Sequence, residues 1–267
     1  MNPSRPPRKE PLHRRRSGLD TAAGRWIYGR HAVAAALANP ERRWHRLLAL
    51  AAQAEEGRTL AAGALAARYG SGEPVRVVER EALAALLPQG AVHQGLTLEV
   101  EPLEPADLDD VLRAASGPAI LLALDQVGDP HNVGAVLRSA AAFGAAAVIV
   151  TRHGTPLAGG TLAKAASGAL ERVPLVPVVN LARALERMKE AGFWVCGLAE
   201  DAAETLAALD LGVRVVLVLG AEENGLRRLV RERCDHLARL PTHPWQPTLN
   251  VSNAAAVALY ELIRRRG

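Results

Sequence analysis

From residue 118 onward the chain alternates between short apolar runs and segments of helical spacing. Residues 119–124, 147–150, 173–176, 194–198 and 213–219 are runs built mostly from Val, Ile and Leu, and 133–143, 181–191 and 227–234 carry helical periodicity between them. Strands that are apolar at every position, rather than at every second one, are buried on both faces. Separated by helices, they predict a parallel sheet covered on both sides. A further short strand before Leu240 leads through a Pro-rich loop into an Ala-rich C-terminal helix. In such sheets ligands bind beyond the carboxyl ends of the strands, and the unusual polar clusters of this half all lie just after an apolar run.

The preceding stretch reads as a smaller α/β unit over 25–100. Helices are predicted at 32–38, at 55–69 before Gly70 and at 80–87 before Pro88; 47–51 is a short apolar run, and strands are predicted at 75–78 and 96–100. Glu101, Pro102, Glu104 and Pro105 open a linker over 101–117, and 118–267 forms the second unit. No internal repeat is evident.

Composition narrows the class. Half the chain is apolar but only 3% is aromatic, so the core must be packed with Ala, Leu and Val. No apolar run approaches the roughly 18 residues of a membrane span, and no apolar signal segment opens the chain. Cys196 and Cys234 form no Cys-x-x-Cys and no His/Cys cluster, which excludes a disulfide scaffold and a zinc finger and points to a reducing cytoplasm. The net charge of +4 is local, because residues 1–24 hold six basic groups (Arg5, Arg8, Lys9, Arg14, Arg15, Arg16) against Glu10 and Asp20. That tail is too polar to fold alone. It reads as an arm for a polyanion, as a solvated extension, or as a transit-type presequence.

The familiar nucleotide fingerprints are missing. Gly220 to Gly225 has P-loop spacing, but Leu226-Arg227 stands where Lys-Ser/Thr would hold phosphate and magnesium, and Glu222-Glu223 would repel a triphosphate. No Gly-x-Gly-x-x-Gly follows a strand, and no Gly-x-Ser-x-Gly elbow exists. Three strand-end clusters remain: 125–138, 217–226 and 240–254. Each has a bland reading. Asn132 caps a helix and Arg138 makes a surface ion pair; Glu222 or Glu223 complements a helix dipole; Thr248 or Asn250 caps the last helix. Against that, Asn, Arg, Glu, Thr and Asn gathered at three strand ends are more than capping requires.

These clusters carry a resemblance. Asp129-Pro130-His131-Asn132-Val133-Gly134 with Arg138, then Leu219-Gly220-Ala221-Glu222 with Gly225-Leu226, then Leu240-Pro241 with Leu249-Asn250-Val251-Ser252 resemble the three ordered motifs of the SpoU (TrmH-type) RNA ribose 2′-O-methyltransferases. Lys164 to Glu171 resembles that family's intervening segment. Tyr28-Gly29-Arg30-His31-Ala32-Val33 and His93-Gln94-Gly95 resemble the ribosomal-protein-like substrate-binding domain of its larger members, those that methylate a guanosine of large-subunit rRNA.

The resemblance implies a trefoil-knotted (SPOUT) α/β methyltransferase domain, a homodimer, S-adenosyl-L-methionine as cofactor, and no metal. It implies Gly220, Leu240 and Leu249 as cofactor-contacting positions, and Asn132, Arg138, Glu222, Thr248 and Asn250 as the catalytic set. In that scheme Arg138 acts on the ribose hydroxyl, Glu222 orients Arg138 through a bidentate contact, Asn132 and Thr248 hold the ribose and Arg138, and Asn250 fixes the loops. The chain departs from the family pattern at Thr248, where Ser is usual, at Pro244 and Pro247 in the loop, and at Asn253. Two other function classes stay open: the same chemistry on a tRNA or on an rRNA adenosine, as in resistance methyltransferases, and a non-catalytic RNA-binding or ribosome-assembly factor.

Overall fold

The structure, a computed structural model, describes residues 25–155, 159–246 and 248–266. The basic tail over 1–24 and Pro247 lie outside the described residues.

The first sheet contains β1 (Trp26–Tyr28), β2 (Arg43–Ala49), β3 (Ala67–Arg68), β4 (Val75–Val77) and β5 (Leu96–Val100), with helices α1 (Arg30–Ala38), α2 (Ala54–Ala62) and α3 (Arg80–Ala84). The order is β1-β5-β2-β3, with β4 also paired to β2. β5 is antiparallel to β1 and β2, whereas β3 and β4 run parallel to β2. Two expectations need correction. The helix predicted over 55–69 stops at Ala62, with Gly63 as its C-cap, and the chain turns back to pair Ala67 and Arg68 with Arg43 and Trp44. The apolar run at 47–51 is the far end of a longer strand, because Trp44 is also buried, its indole nitrogen donating to the Ala66 carbonyl at 3.1 Å.

The second sheet is wholly parallel among its described pairings. Its strands are β6 (Ala119–Asp125), β7 (Ala147–Thr151), β8 (Leu175–Val178), β9 (Trp194–Leu198), β10 (Glu204–Thr205), β11 (Arg214–Gly220) and β12 (His236–Arg239), in the order β10-β12-β9-β11-β6-β7-β8. Around it lie α4 (Leu108–Ala114), α5 (Pro130–Ala142), α6 (Gly160–Ala166), α7 (Leu181–Glu190), α8 (Arg228–Glu232) and α9 (Val251–Arg264). β6 shows why the strands are apolar throughout. Ile120, Leu122 and Leu124 pack with Leu137 of α5, Leu162 of α6 and Leu259 of α9. Leu121 and Ala123 face the other way, toward Val111 of α4, Leu185 of α7 and Val230 of α8. The stretch expected as linker therefore contains a helix, α4, whose Leu108 and Val111 are buried against this sheet.

Strand order creates the site. β6, β7 and β8 step outward to one edge; the chain then crosses to β9, and β11 fills the place between β9 and β6. At such a reversal the loops leaving neighbouring strands part and leave a crevice. β6 and β11 are paired to their last residues, Leu124 with Leu219 and Asp125 with Gly220, so their loops start level.

The two sheets meet along α6. Gly160 has no room for a side chain, since a Cβ there would lie 2.5 Å from the Trp26 carbonyl oxygen and from the Tyr28 ring. The Tyr28 hydroxyl lies 3.3 Å from Thr161 Oγ1, and Lys164 Nζ donates to Gln94 Oε1 at 2.6 Å. Arg42 and Glu171 form an ion pair that is almost wholly buried, at 4% side-chain exposure each.

Candidate active site

The loops after β6, β11 and β12 converge through three side chains. Asn132 Nδ2 donates to Glu222 Oε1 at 3.0 Å, Asn250 Nδ2 donates to Asn132 Oδ1 at 3.0 Å, and the same amide donates to Glu222 Oε1 at 2.5 Å. Asn250 is also the N-cap of α9: its Oδ1 accepts from Ser252 N at 3.0 Å and from Ser252 Oγ at 2.6 Å. One amide thus uses its acceptor to start a helix and its donors to bind two other loops. Asn132 is not the N-cap of α5. Asp129 is the N-cap of α5, accepting from His131 N at 3.0 Å ahead of Pro130, and Asn132 stands in the first turn behind it.

Beside this triangle lies a cleft of about 440 Å³ beyond the ends of β9, β11 and β12. That is within the size range of small-molecule sites. Gly220, Leu240, Thr248, Leu249 and Glu222 line it, with Leu219, Leu198 and Ala254 adding apolar wall and Glu200, Asp201 and Glu223 adding acid. Arg231, also in the wall, holds Asp201 bidentately at 3.0 and 2.9 Å. These hydrogen bonds hold the Asp201 carboxyl below its ordinary range. Apolar walls with exposed loop backbone suit a flat heterocycle, and the acids suit hydroxyl and cationic groups; a triphosphate would be repelled.

Arg138 stands apart. It is exposed on α5 and makes no hydrogen bond or ion pair with another described residue. Six positions along a helix is roughly 240° of rotation and about 9 Å of rise, so Asn132 and Arg138 project from different faces. The expected bidentate contact between Glu222 and Arg138 is corrected here: Glu222 receives Asn132 and Asn250 instead. Thr248 lies in the cleft wall, where its carbonyl accepts from Gln246 Nε2 at 3.4 Å.

Sequence reasoning passed over Asp125, whose side chain is fully buried at the end of β6. Its Oδ2 accepts from Arg227 N at 2.9 Å and its Oδ1 from Arg227 Nε at 2.7 Å, which ties the β6 end to the start of α8. A carboxylate closing an otherwise apolar strand was the available signal.

Gly220 is demanded by close approach. A Cβ there would sit 2.1 Å from the Gly225 carbonyl carbon and 2.2 Å from its oxygen, across the tight turn closed by the Ala221–Gly225 bridge. Gly220→Ala is expected to push that turn into the cleft, costing about 1–3 kcal/mol of stability and weakening ligand binding about tenfold or more. Thermal melting and titration calorimetry check both, and unchanged binding would remove the turn from the site.

Comparison with known proteins identifies the family of the chain. Residues 119–260 match the model of the SpoU rRNA Methylase family, and residues 26–106 match that described as RNA 2′-O ribose methyltransferase substrate binding. The 23S rRNA (guanosine-2′-O-)-methyltransferase RlmB of Pseudomonas aeruginosa is 44% identical over 243 residues, covering 90% of this chain and 96% of that protein. The RlmB protein of Xylella fastidiosa is 43% identical over 244 residues, with the same coverage. Among solved structures, the SpoU methyltransferase AviRb of Streptomyces viridochromogenes, in complex with AdoMet, superposes with a TM-score of 0.76 at 23% identity, over 92% of this chain and 91% of that one. The chain belongs to the SpoU rRNA methylase family.

Proposed function

We propose that this protein transfers a methyl group from S-adenosyl-L-methionine to the ribose 2′-OH of a guanosine in 23S rRNA, in the cytoplasm. The observation that carries the reading is the strand-end cleft flanked by the Asn132–Glu222–Asn250 triangle, in a chain 43–44% identical to RlmB proteins over nearly its whole length. Residues 25–100 act as the substrate-binding unit, 101–117 as a connection whose helix α4 packs on the second sheet, and 118–267 as the methyltransferase unit with the family's trefoil knot. The protein works as a homodimer. Val257 and Tyr260, 46% and 56% exposed along one side of α9, support a partner surface there.

The cofactor, when bound, supplies an already activated methyl group on a sulfonium. Leu240 and Leu249 would hold its flat heterocycle, and Gly220 would let the loop backbone approach it. What is left for the protein is to position the acceptor and let its 2′ proton pass to water, with the cofactor's neutral thioether as the leaving group. The 2′-hydroxyl is a weak nucleophile, so charge on its oxygen must be stabilised as the methyl moves. Arg138 does this as a permanent cation. A guanidinium stays protonated, so its role is to stabilise the alkoxide and to grip the neighbouring phosphate. Thr248 offers a hydroxyl at the cleft wall to the ribose. Asn132, Glu222 and Asn250 keep the three loops in register, so that cleft and acceptor stay aligned.

Two measurements test this. Calorimetry with a chelator present is expected to show binding of S-adenosyl-L-methionine; strict dependence on a divalent ion would count against the reading. Mapping of 2′-O-methylation in cells lacking the gene is expected to show one guanosine of 23S rRNA left unmodified and restored by complementation. A methyl missing from a tRNA, or from an rRNA adenosine, would overturn the substrate assignment.

A further inference from the structure

We propose that Trp245 is a stacking platform for a base of the RNA substrate at the mouth of the cleft. The inference rests on the methyltransferase reading, since it takes the cleft as the place where the acceptor ribose arrives. At 77% exposure, Trp245 is the most exposed large apolar side chain among the described residues. The chain has only four Trp, three Tyr and two Phe, so an indole held outside the core calls for a use. Trp194, the other strongly exposed indole, lies at the opposite end of the second sheet, at the start of β9, with its ring against His236.

Position in the chain supports a role at the cleft. Thr242 and Thr248, three residues to either side of Trp245, both line the cleft wall. Three residues span at most about 11 Å, so the backbone of Trp245 lies within that reach of the cleft wall on both sides, next to the lining and outside it. Its backbone is organised. Gln246 N donates to the His243 carbonyl at 2.9 Å, and the His243 ring lies 5.4 Å from the Trp245 ring at a tilt of 56°. An indole already held in place loses little freedom on binding.

RNA presents ligands of the matching chemistry. Unstacked bases of single-stranded segments are bound by stacking on aromatic side chains, with little dependence on base identity. A nucleotide whose ribose enters the cleft carries its own base, and those of its neighbours, past the rim. Trp245 is therefore a positioning residue, acting on RNA affinity and not on the methyl-transfer step.

The test uses the full-length protein with Trp245→Ala and Trp245→Phe, and a fluorescein-labelled fragment of unmodified 23S rRNA. Anisotropy reads RNA affinity, turnover gives kcat and KM separately, calorimetry gives cofactor affinity, and sedimentation gives oligomeric state. For Trp245→Ala we expect RNA affinity to fall and KM to rise about tenfold, the order of one lost base stack. Its kcat, cofactor affinity and oligomeric state should stay within twofold of wild type, and Trp245→Phe should recover most of the loss. Unchanged RNA affinity would overturn the proposal. So would a loss confined to cofactor affinity, which would make the indole a lid, or a change of oligomeric state, which would make it a subunit contact. Phenylalanine performing no better than alanine would reduce the effect to loop shape. If wild type binds the fragment without methylating it, the functional reading fails, while the anisotropy of the two variants still decides this inference.

Discussion

Replacing Arg138 by alanine is expected to lower kcat for methyl transfer by about 10²–10³-fold, the usual cost of losing one oxyanion stabiliser. Cofactor affinity should change by no more than about twofold. The separation follows from placement. Arg138 is exposed on α5, without a partner among the described residues, while the cleft is lined by the loops after β9, β11 and β12. A guanidinium with no carboxylate partner is available to RNA, and it would repel a sulfonium, so its removal does not weaken the cleft. Arg138→Lys keeps the charge but loses the planar fork. Because Glu222 is engaged by Asn132 and Asn250, no fork–carboxylate contact is lost with it, and the lysine should recover a measurable part of the rate. Full activity in Arg138→Ala would remove the residue from the chemistry. Lost cofactor binding would move it into the cofactor site.

The largest effect on stability is expected at the junction of the two sheets. Arg42 Nη2 and Nε donate to the two carboxylate oxygens of Glu171 at 2.5 and 3.2 Å, and Nη1 donates to the Glu101 carbonyl at 2.9 Å. Asn39 Nδ2 adds a bond to Glu171 at 2.8 Å. Arg42→Ala leaves a carboxylate buried with a single neutral donor and a carbonyl with its partner gone. Breaking such a pair costs about 3–5 kcal/mol, roughly 6–20 °C of melting temperature for a chain of this size. Removing both charges together, as Arg42→Met with Glu171→Met, should restore much of that, because the desolvation penalty disappears with the attraction. A melting temperature of Arg42→Ala within about 2 °C of wild type would show the pair to be solvated and unimportant. Cofactor affinity, measured well below the transition, should be unaffected, since none of these residues reaches the cleft.

The parallel strands were legible because burial on two faces leaves no polar position to confuse the pattern, as in β6 and β11. Register at the edges was less so. Residues 173–176 read as a strand, yet pairing with β7 begins at Leu175 and tolerates Pro177, because β8 lies at the sheet edge. Helix α4 reads as linker because seven residues bearing two buried apolar side chains give too short a pattern. The helical pattern over 55–69 outruns α2 because its last residues are good helix formers, and only the pairing of Ala67 and Arg68 with β2 pulls them out.

Local periodicity carries the parallel α/β class of the second unit, the three loops with polar groups and the residue types available there; the knot came only with the family resemblance. The tertiary structure alone decided which of those groups touch. Asn132 meets Glu222 across 90 positions and Asn250 across 118, while Arg138, six residues from Asn132, joins neither. Distances of that kind are set by strand order and by the turn of a helix. No spacing along the chain encodes that β11 comes to lie against β6, and it is that placement which turns three separate loops into one site.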